Sequence, residues 1–300
     1  MTNDAHIHFF SPGFFAGLGA SRDAITTLGW QFPESVEHLS AQWVAELDRH
    51  GVARAALIAS LPGDAGSVAT AVALNPSRFV GFFMLDPTRQ DALDYAGRAL
   101  DQGLRTICLF PAMHGYPLHN PRVGEVFDLA ASRGGGTVKP VTVFVHCGVL
   151  SVGIRKKLGL QSPFEIRFGN PLDLHGVAVK HPTVPIIIPH FGAGMLREAL
   201  MLADSCANVH LDTSSSNSWI KYTPGLTLEQ VFKTALDVLG PDRLLFGSDS
   251  SFFPRGWNGE IYLKQKSALD SIGVSAEVQQ KIFSANFSRL FAKSGSGREI

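Results

Sequence analysis

Five side chains spread along the sequence are of types that hold a divalent metal. His6 and His8 stand two apart in Asp-Ala-His-Ile-His, His146 follows Val-Phe-Val, His190 follows Ile-Ile-Ile-Pro, and Asp249 closes Leu-Leu-Phe-Gly-Ser-Asp. In an extended segment, residues i and i+2 point to one face, so His6 and His8 would present two imidazoles side by side. Neutral imidazole nitrogen suits zinc and other borderline divalent cations. An HxH pair alone says little. Its weight comes from the other three, each the first titratable side chain after an apolar run. A hydrogen-bonded core histidine is the ordinary explanation for any one of them, and a poor one for the set. Asp4, two residues before His6, can face the same way and accept a bond from a neighbouring backbone or imidazole; a plain strand-start role is the alternative.

The segments that must carry these residues are short β-rich runs at 5–10, 53–60, 79–85, 104–110, 141–147, 184–190, 208–213 and 243–247. Amphipathic helical stretches lie between them, among others at 39–50, 91–102, 122–133, 195–206 and 228–239. Continuous apolar strands joined by helical crossovers read as a parallel sheet covered by helices. Eight such units favour closure into an α/β, (β/α)₈ TIM barrel, with 1–300 as one domain. The open dinucleotide-binding sheet would need a GxGxxG after the first strand, and none is present there. Barrel sites lie where the strands end, and two long segments, 11–33 and 148–171, emerge on that face. The glycine-rich turn at 134–136 and the polar tail at 293–299 are assigned no function.

Composition narrows the classes. Twenty-six basic residues balance 26 acidic ones, so no net field recruits nucleic acid or an anionic membrane. Cys108, Cys147 and Cys206 form no CxxC pair, which argues against a disulfide framework or a thiolate cluster. No secretory leader and no apolar stretch of about 18 residues is evident, and a cytoplasmic location is expected. A serine hydrolase is disfavoured because no GxSxG elbow occurs.

Residues 4–8, 145–148 (Val-His-Cys-Gly), 188–192 (Ile-Pro-His-Phe-Gly), 246–249 (Phe-Gly-Ser-Asp) and 282–291 together resemble the amidohydrolase superfamily. The resemblance is to the amidohydrolase-related branch that includes aminocarboxymuconate semialdehyde decarboxylase. It implies His6, His8, His146 and Asp249 as metal ligands. His190 would hydrogen-bond the metal's water or, as in some relatives, ligate directly. Where binuclear relatives carry a carboxylated Lys or a Glu, this chain has Cys108, read as a buried structural thiol. One divalent metal is therefore expected: zinc first, with manganese, iron or cobalt compatible.

Such an ion lowers the pKa of bound water from 15.7 to roughly 7. Asp249 would accept the proton and pass it to the leaving group, while His190 orients water or polarises a carbonyl. Beyond Asp249 the sequence reads Ser-Ser-Phe-Phe-Pro-Arg-Gly-Trp. Arg255, with Trp257, Phe252 and Phe10, suggests a site for an aromatic or unsaturated carboxylate. The alternative is that Phe252, Phe253 and Trp257 cap the barrel and Arg255 makes an internal ion pair. The expected reaction is hydrolysis of an amide, lactone or ester by metal-activated water in a small substrate. Non-oxidative decarboxylation of a cyclic or unsaturated acid is the alternative, and a barrel that binds without turnover is the third reading. Homo-oligomers are common in the family, although no sequence feature specifies an interface.

Overall fold

The computed structural model describes residues 1–134 and 141–291. The turn at 134–136, beyond Gly134, and the tail at 293–299 lie outside them. Eight strands pair in parallel and in chain order: β1 (Thr2–His8), β2 (Val52–Ala59), β3 (Phe79–Leu85), β4 (Thr106–Leu109), β5 (Thr142–Val145), β6 (Ile186–Ile188), β7 (Val209–Asp212) and β8 (Leu244–Leu245). The ring is completed where the chain after β8 returns to β1. Ala5 N donates to Phe246 O at 2.8 Å, His8 N to Ser250 O at 2.7 Å, and Asp249 N to His6 O at 2.9 Å. This is the expected (β/α)₈ barrel.

Side chains alternate between two apolar layers along each strand. Leu57, Phe83, Ile107, Val143, Ile186 and Leu211 pack outward against the helices. Ala56, Ile58, Phe82, Met84, Phe144 and Ile187 fill the interior, where Phe287 and Phe291 join them from the C-terminal helical segment. The barrel core is thus packed, as barrels of this type are, and room for a ligand is left where the strands finish. Cys108 lies in this interior with its thiol kept protonated by burial.

Helices cover the outside much as the periodicity predicts. The 228–239 stretch forms Leu228–Leu239, started by a capping box in which Thr227 and Gln230 bond each other's backbone. The two long segments are not plain loops. Pro12–Gly17 and Arg22–Thr27 are short helices capped by Ser11 and Ser21, and Gly153–Lys157 is a third. Phe14, Phe15, Ile25 and Trp30 of the first segment cluster with Ile154 of the second, so the two loops pack on one another.

One irregularity decides which way the first strand aims its side chains. In the ladder with β2, Asp4 stands opposite Ala55 and Ile7 opposite Leu57, so β1 carries an extra residue between them. Such a bulge re-aims the residues that follow it. Asp4 consequently faces the outer layer, whereas His6 and His8 face the barrel mouth.

Candidate metal centre

β1 supplies His6 and His8, and the turn after β8 supplies Asp249. His6 Nε2 and His8 Nε2 lie 3.3 Å apart. Asp249 Oδ1 is 3.7 Å from His6 Nε2 and 3.3 Å from His8 Nε2. The three form a group whose ligand atoms all fall within 4.8 Å of one another.

The hydrogens on both rings follow from their other contacts. His6 Nδ1 sits 2.6 Å from Asp212 Oδ2, a carboxylate at the end of β7, so that nitrogen donates. Ser60 Oγ is 2.6 Å from His8 Nδ1 and already donates to Ile58 O at 3.0 Å, so it accepts from the ring. Both imidazoles therefore turn an unprotonated Nε2 toward Asp249. Two lone pairs and an anionic oxygen in van der Waals contact repel unless a cation lies among them. Zinc–nitrogen bonds of 2.0–2.1 Å in tetrahedral geometry place neighbouring donors about 3.3 Å apart. The donor set fits a divalent metal.

At Asp249 and His8 electrostatics favour the forms a metal needs, an anionic carboxylate and a neutral imidazole. Burial alone would raise the Asp249 carboxyl. Its contact with His8 and its proximity to His6 and His190 outweigh burial and hold the group well below its usual range. Burial pushes His8 below the ordinary imidazole value. For His6, burial works in the same direction, but Asp212, by charge and hydrogen bond, with Asp249 and Asp4, turns the net shift upward.

His146 and His190 line the same cavity. His146 lies outside the group of three; its ring is 5.3 Å from that of His190 and stacks on Phe110 at 5.4 Å. Burial lowers it far below the usual value, with His190 and His6 adding to the effect. His190 does not end a strand as the sequence suggests. It opens a turn after Pro189 in which His190, Phe191, Gly192, Ala193 and Gly194 all have positive φ (56°, 52°, 85°, 43° and 96°). Its Nδ1 is 2.8 Å from Ser214 Oγ and 3.3 Å from Ser214 O. A carbonyl only accepts, so His190 Nδ1 carries the hydrogen and Nε2 is the free acceptor. Asp249 also sits at positive φ (59°). Non-glycine residues in that region cost on the order of 1–3 kcal/mol each and cluster where a surrounding frame fixes them for use.

The cavity holds about 460 Å³. Of the residues expected to contact substrate, Phe10, Phe252 and Arg255 line it. Trp257 does not. It is 5% exposed and its Nε1 donates to Asp4 Oδ2 at 2.7 Å, behind the strand that carries the histidines. Asp4 also accepts from His6 N at 2.8 Å and Ser248 N at 3.1 Å. It holds backbone, as anticipated, but touches neither imidazole, because the bulge turns it away. The group behind His6 is Asp212, which sequence reading passed over although it too is a carboxylate closing an apolar run (Val-His-Leu-Asp). Ser60, behind His8, carried no comparable signal.

The family model described as amidohydrolase matches residues 4–293. No curated protein matches the chain. Solved structures share its fold at low identity. An uncharacterised TIM-barrel protein from Bordetella bronchiseptica is 17% identical, with 98% of this chain and 99% of the other covered and a TM-score of 0.67. A probable 2-pyrone-4,6-dicarboxylic acid hydrolase from Acinetobacter baumannii is 16% identical over 97% of this chain and 99% of its own, at 0.61. An amidohydrolase from Burkholderia multivorans with bound zinc is 15% identical over 97% and 99%, at 0.59.

Proposed function

The chain belongs to the amidohydrolase family, and from that premise we propose that it is a metal-dependent hydrolase cleaving an amide, lactone or ester bond in a small aromatic or unsaturated carboxylate. One observation carries the reading: two imidazole lone pairs and an ionised carboxylate converge within 4.8 Å in a cavity with apolar walls. His6, His8 and Asp249 would hold the ion, with His146 a further donor from the same cavity. Zinc is the first expectation, and the Burkholderia relative of this fold was solved with zinc.

When bound, a divalent ion there supplies Lewis acidity and lowers the pKa of water it touches to roughly 7. The chain's own groups do the rest. Asp249 stays anionic at neutral pH, the form required both to hold a cation and to accept a proton. His190, fixed through Nδ1 by Ser214, offers Nε2 to orient or receive a proton from a reacting group. A positioned acid–base residue of this kind contributes about 10²–10⁴-fold. Arg255, on the rim, matches a carboxylate with its planar fork. Phe10 and Phe252 give the flat apolar wall that an unsaturated ring would lie on.

The test is turnover by the metal-loaded protein on a panel of aryl and unsaturated lactones, esters and amides, with carbon dioxide measured in parallel on the matching acids. Hydrolysis that Asp249→Asn abolishes, with metal content retained, supports the reading. Carbon dioxide release without hydrolysis would replace it with decarboxylation. Turnover of neither kind, whatever metal is supplied, would leave a binding protein.

A further inference from the structure

Next to the metal cavity lies a second one of about 370 Å³. Its apolar lining comes from Phe15, Phe32, Leu39 and Phe253, with Arg22 and Gln42 among its polar groups. Phe10, Ser251 and Phe252 line both cavities, so these side chains form the wall between them. A cavity of about 150 Å³ takes a benzene ring, and the second cavity therefore has room for a further ring or chain.

The three wall residues are not held alike. Phe10 belongs to a packed cluster: it stacks on Phe14 at 4.1 Å with 5° between planes, and lies 6.1 Å from Phe15 and 6.3 Å from Trp30. Ser251 is small, and its Oγ accepts from Arg255 Nη2 at 3.1 Å. Phe252 is half-buried and leans on two partners. It stacks on Trp30 at 3.8 Å with 8° between planes, and the Arg255 guanidinium lies 4.6 Å over its ring. The second cavity keeps its shape by other contacts. Gln31 N donates to Phe253 O at 2.9 Å, Gln42 Nε2 donates to Gln31 Oε1 at 2.7 Å, and Arg22 lies 4.8 Å over Phe32. The Phe252 ring is thus the part of the wall that can be removed without dismantling either side.

We propose that Phe252 is a specificity-determining residue. Its ring limits the substrate to what the metal cavity alone can hold; without it, the second cavity becomes a subsite for a further aromatic or apolar group on the same molecule. This rests on the reading of the metal cavity as the seat of an aromatic carboxylate, and goes beyond it by assigning the size limit to one side chain. Burying the apolar surface of a phenyl group is worth at least about tenfold in affinity. A ring already standing in its path denies that gain.

Isothermal titration of the zinc-loaded protein with benzoate and with ortho-, meta- and para-phenylbenzoate tests it. In the wild type, none of the three phenylbenzoates should bind more tightly than benzoate. Phe252→Ala should weaken benzoate about two- to fivefold through the lost guanidinium contact, and tighten at least one phenylbenzoate by at least about tenfold. Phe252→Leu keeps the wall and should keep the wild-type order. Gln42 lines the second cavity, so adding Gln42→Trp to Phe252→Ala fills that space and should erase the gain, which a general loosening of the loops would not do. Retained zinc affinity and a cooperative thermal transition show that each variant folds, and Phe252→Val gives a smaller opening read in the same way. A phenylbenzoate preferred by the wild type, no gain on removing the ring, or a gain that survives Gln42→Trp overturns the proposal while benzoate binding stands. Failure of every ligand to bind either protein overturns it together with the substrate reading on which it rests.

Discussion

Asp212 Oδ2 lies 2.6 Å from His6 Nδ1, a contact between two side chains that are 0% and 1% exposed. It ties the end of β7 to β1 beneath the cavity and decides which nitrogen of His6 faces the metal position. Partners of this kind orient a ligating imidazole and raise its basicity, and losing one typically costs 10–100-fold in metal affinity. Asp212→Asn keeps the shape and removes the charge. Zinc affinity, measured by competition with a chromogenic chelator, is expected to fall by about 10–100-fold. Unchanged affinity would mean that His6 is not a ligand.

The barrel was legible because its signal is repeated. Each of eight apolar runs falls on a strand, and the helix at 228–239 begins and ends where periodicity predicts. The ends were less legible. Thr2–Asp4 belong to β1 although they look polar, because Asn3 Nδ2 donates to Ser284 and Ser288, some 280 residues away. The run at 243–247 shortens to Leu244–Leu245 because Phe246 pairs with Ala5 of β1 instead of continuing the ladder with β7. Nothing local announces either contact.

The site shows the same division. His6 and His8 stood out as an HxH pair, and His146, His190 and Asp249 as polar ends of apolar runs. The face of Asp4 could not be read, since period-two alternation assumes no bulge. Trp257 looked like a substrate contact by proximity in sequence to Asp249, yet its indole N–H needed a buried acceptor, and Asp4 on the outer face provides one. Ser60 and Ser214 act through hydroxyls whose roles depend on neighbours from other strands.

Gly247 shows how closely β8 approaches the centre. A Cβ there would stand 2.8 Å from His6 Cβ and 2.9 Å from both Asp212 Oδ1 and Ser214 Cβ. Gly247→Ala is expected to lower zinc affinity at least about tenfold, since it presses on the ligand and its partner together. Gly66→Ala is the control: it sits exposed in the helix Ala65–Leu74, with nothing within 4 Å of its Cβ. That change should stabilise by about 0.5–1 kcal/mol and leave metal binding alone. Equal metal affinity in the two variants would contradict the crowding at Gly247.

Phe252 lies between Trp30 and Arg255. Phe252→Leu removes the ring surface under the guanidinium while keeping apolar volume. An exposed cation–π contact is worth about 0.5–1 kcal/mol, so the loss should appear as a two- to fivefold weaker binding of benzoate. It should leave zinc affinity unchanged, because no metal-facing atom moves. A drop in zinc affinity instead would place Phe252 in the support of the metal centre.

His210 gives a pH dependence separate from the site. It lies on β7 between Val209 and Leu211, and burial, reinforced by Arg289 and Arg243, pushes its pKa down to about 4. In the unfolded chain the imidazole titrates near 6.5. Between those values the unfolded state binds a proton that the folded state does not, so stability rises with pH across the window. The contribution is fully present above about pH 6.5, is lost as pH falls, and is gone near pH 4. His8, His146 and His190 act in the same direction and His6 in the opposite one, so the comparison must be with a variant. His210→Gln removes this one group, and urea unfolding of both proteins from pH 4.5 to 7 isolates it. Wild type should lose on the order of 1–3 kcal/mol more than the variant on acidification. Parallel curves would show that His210 is protonated as readily in the folded barrel as in the unfolded chain.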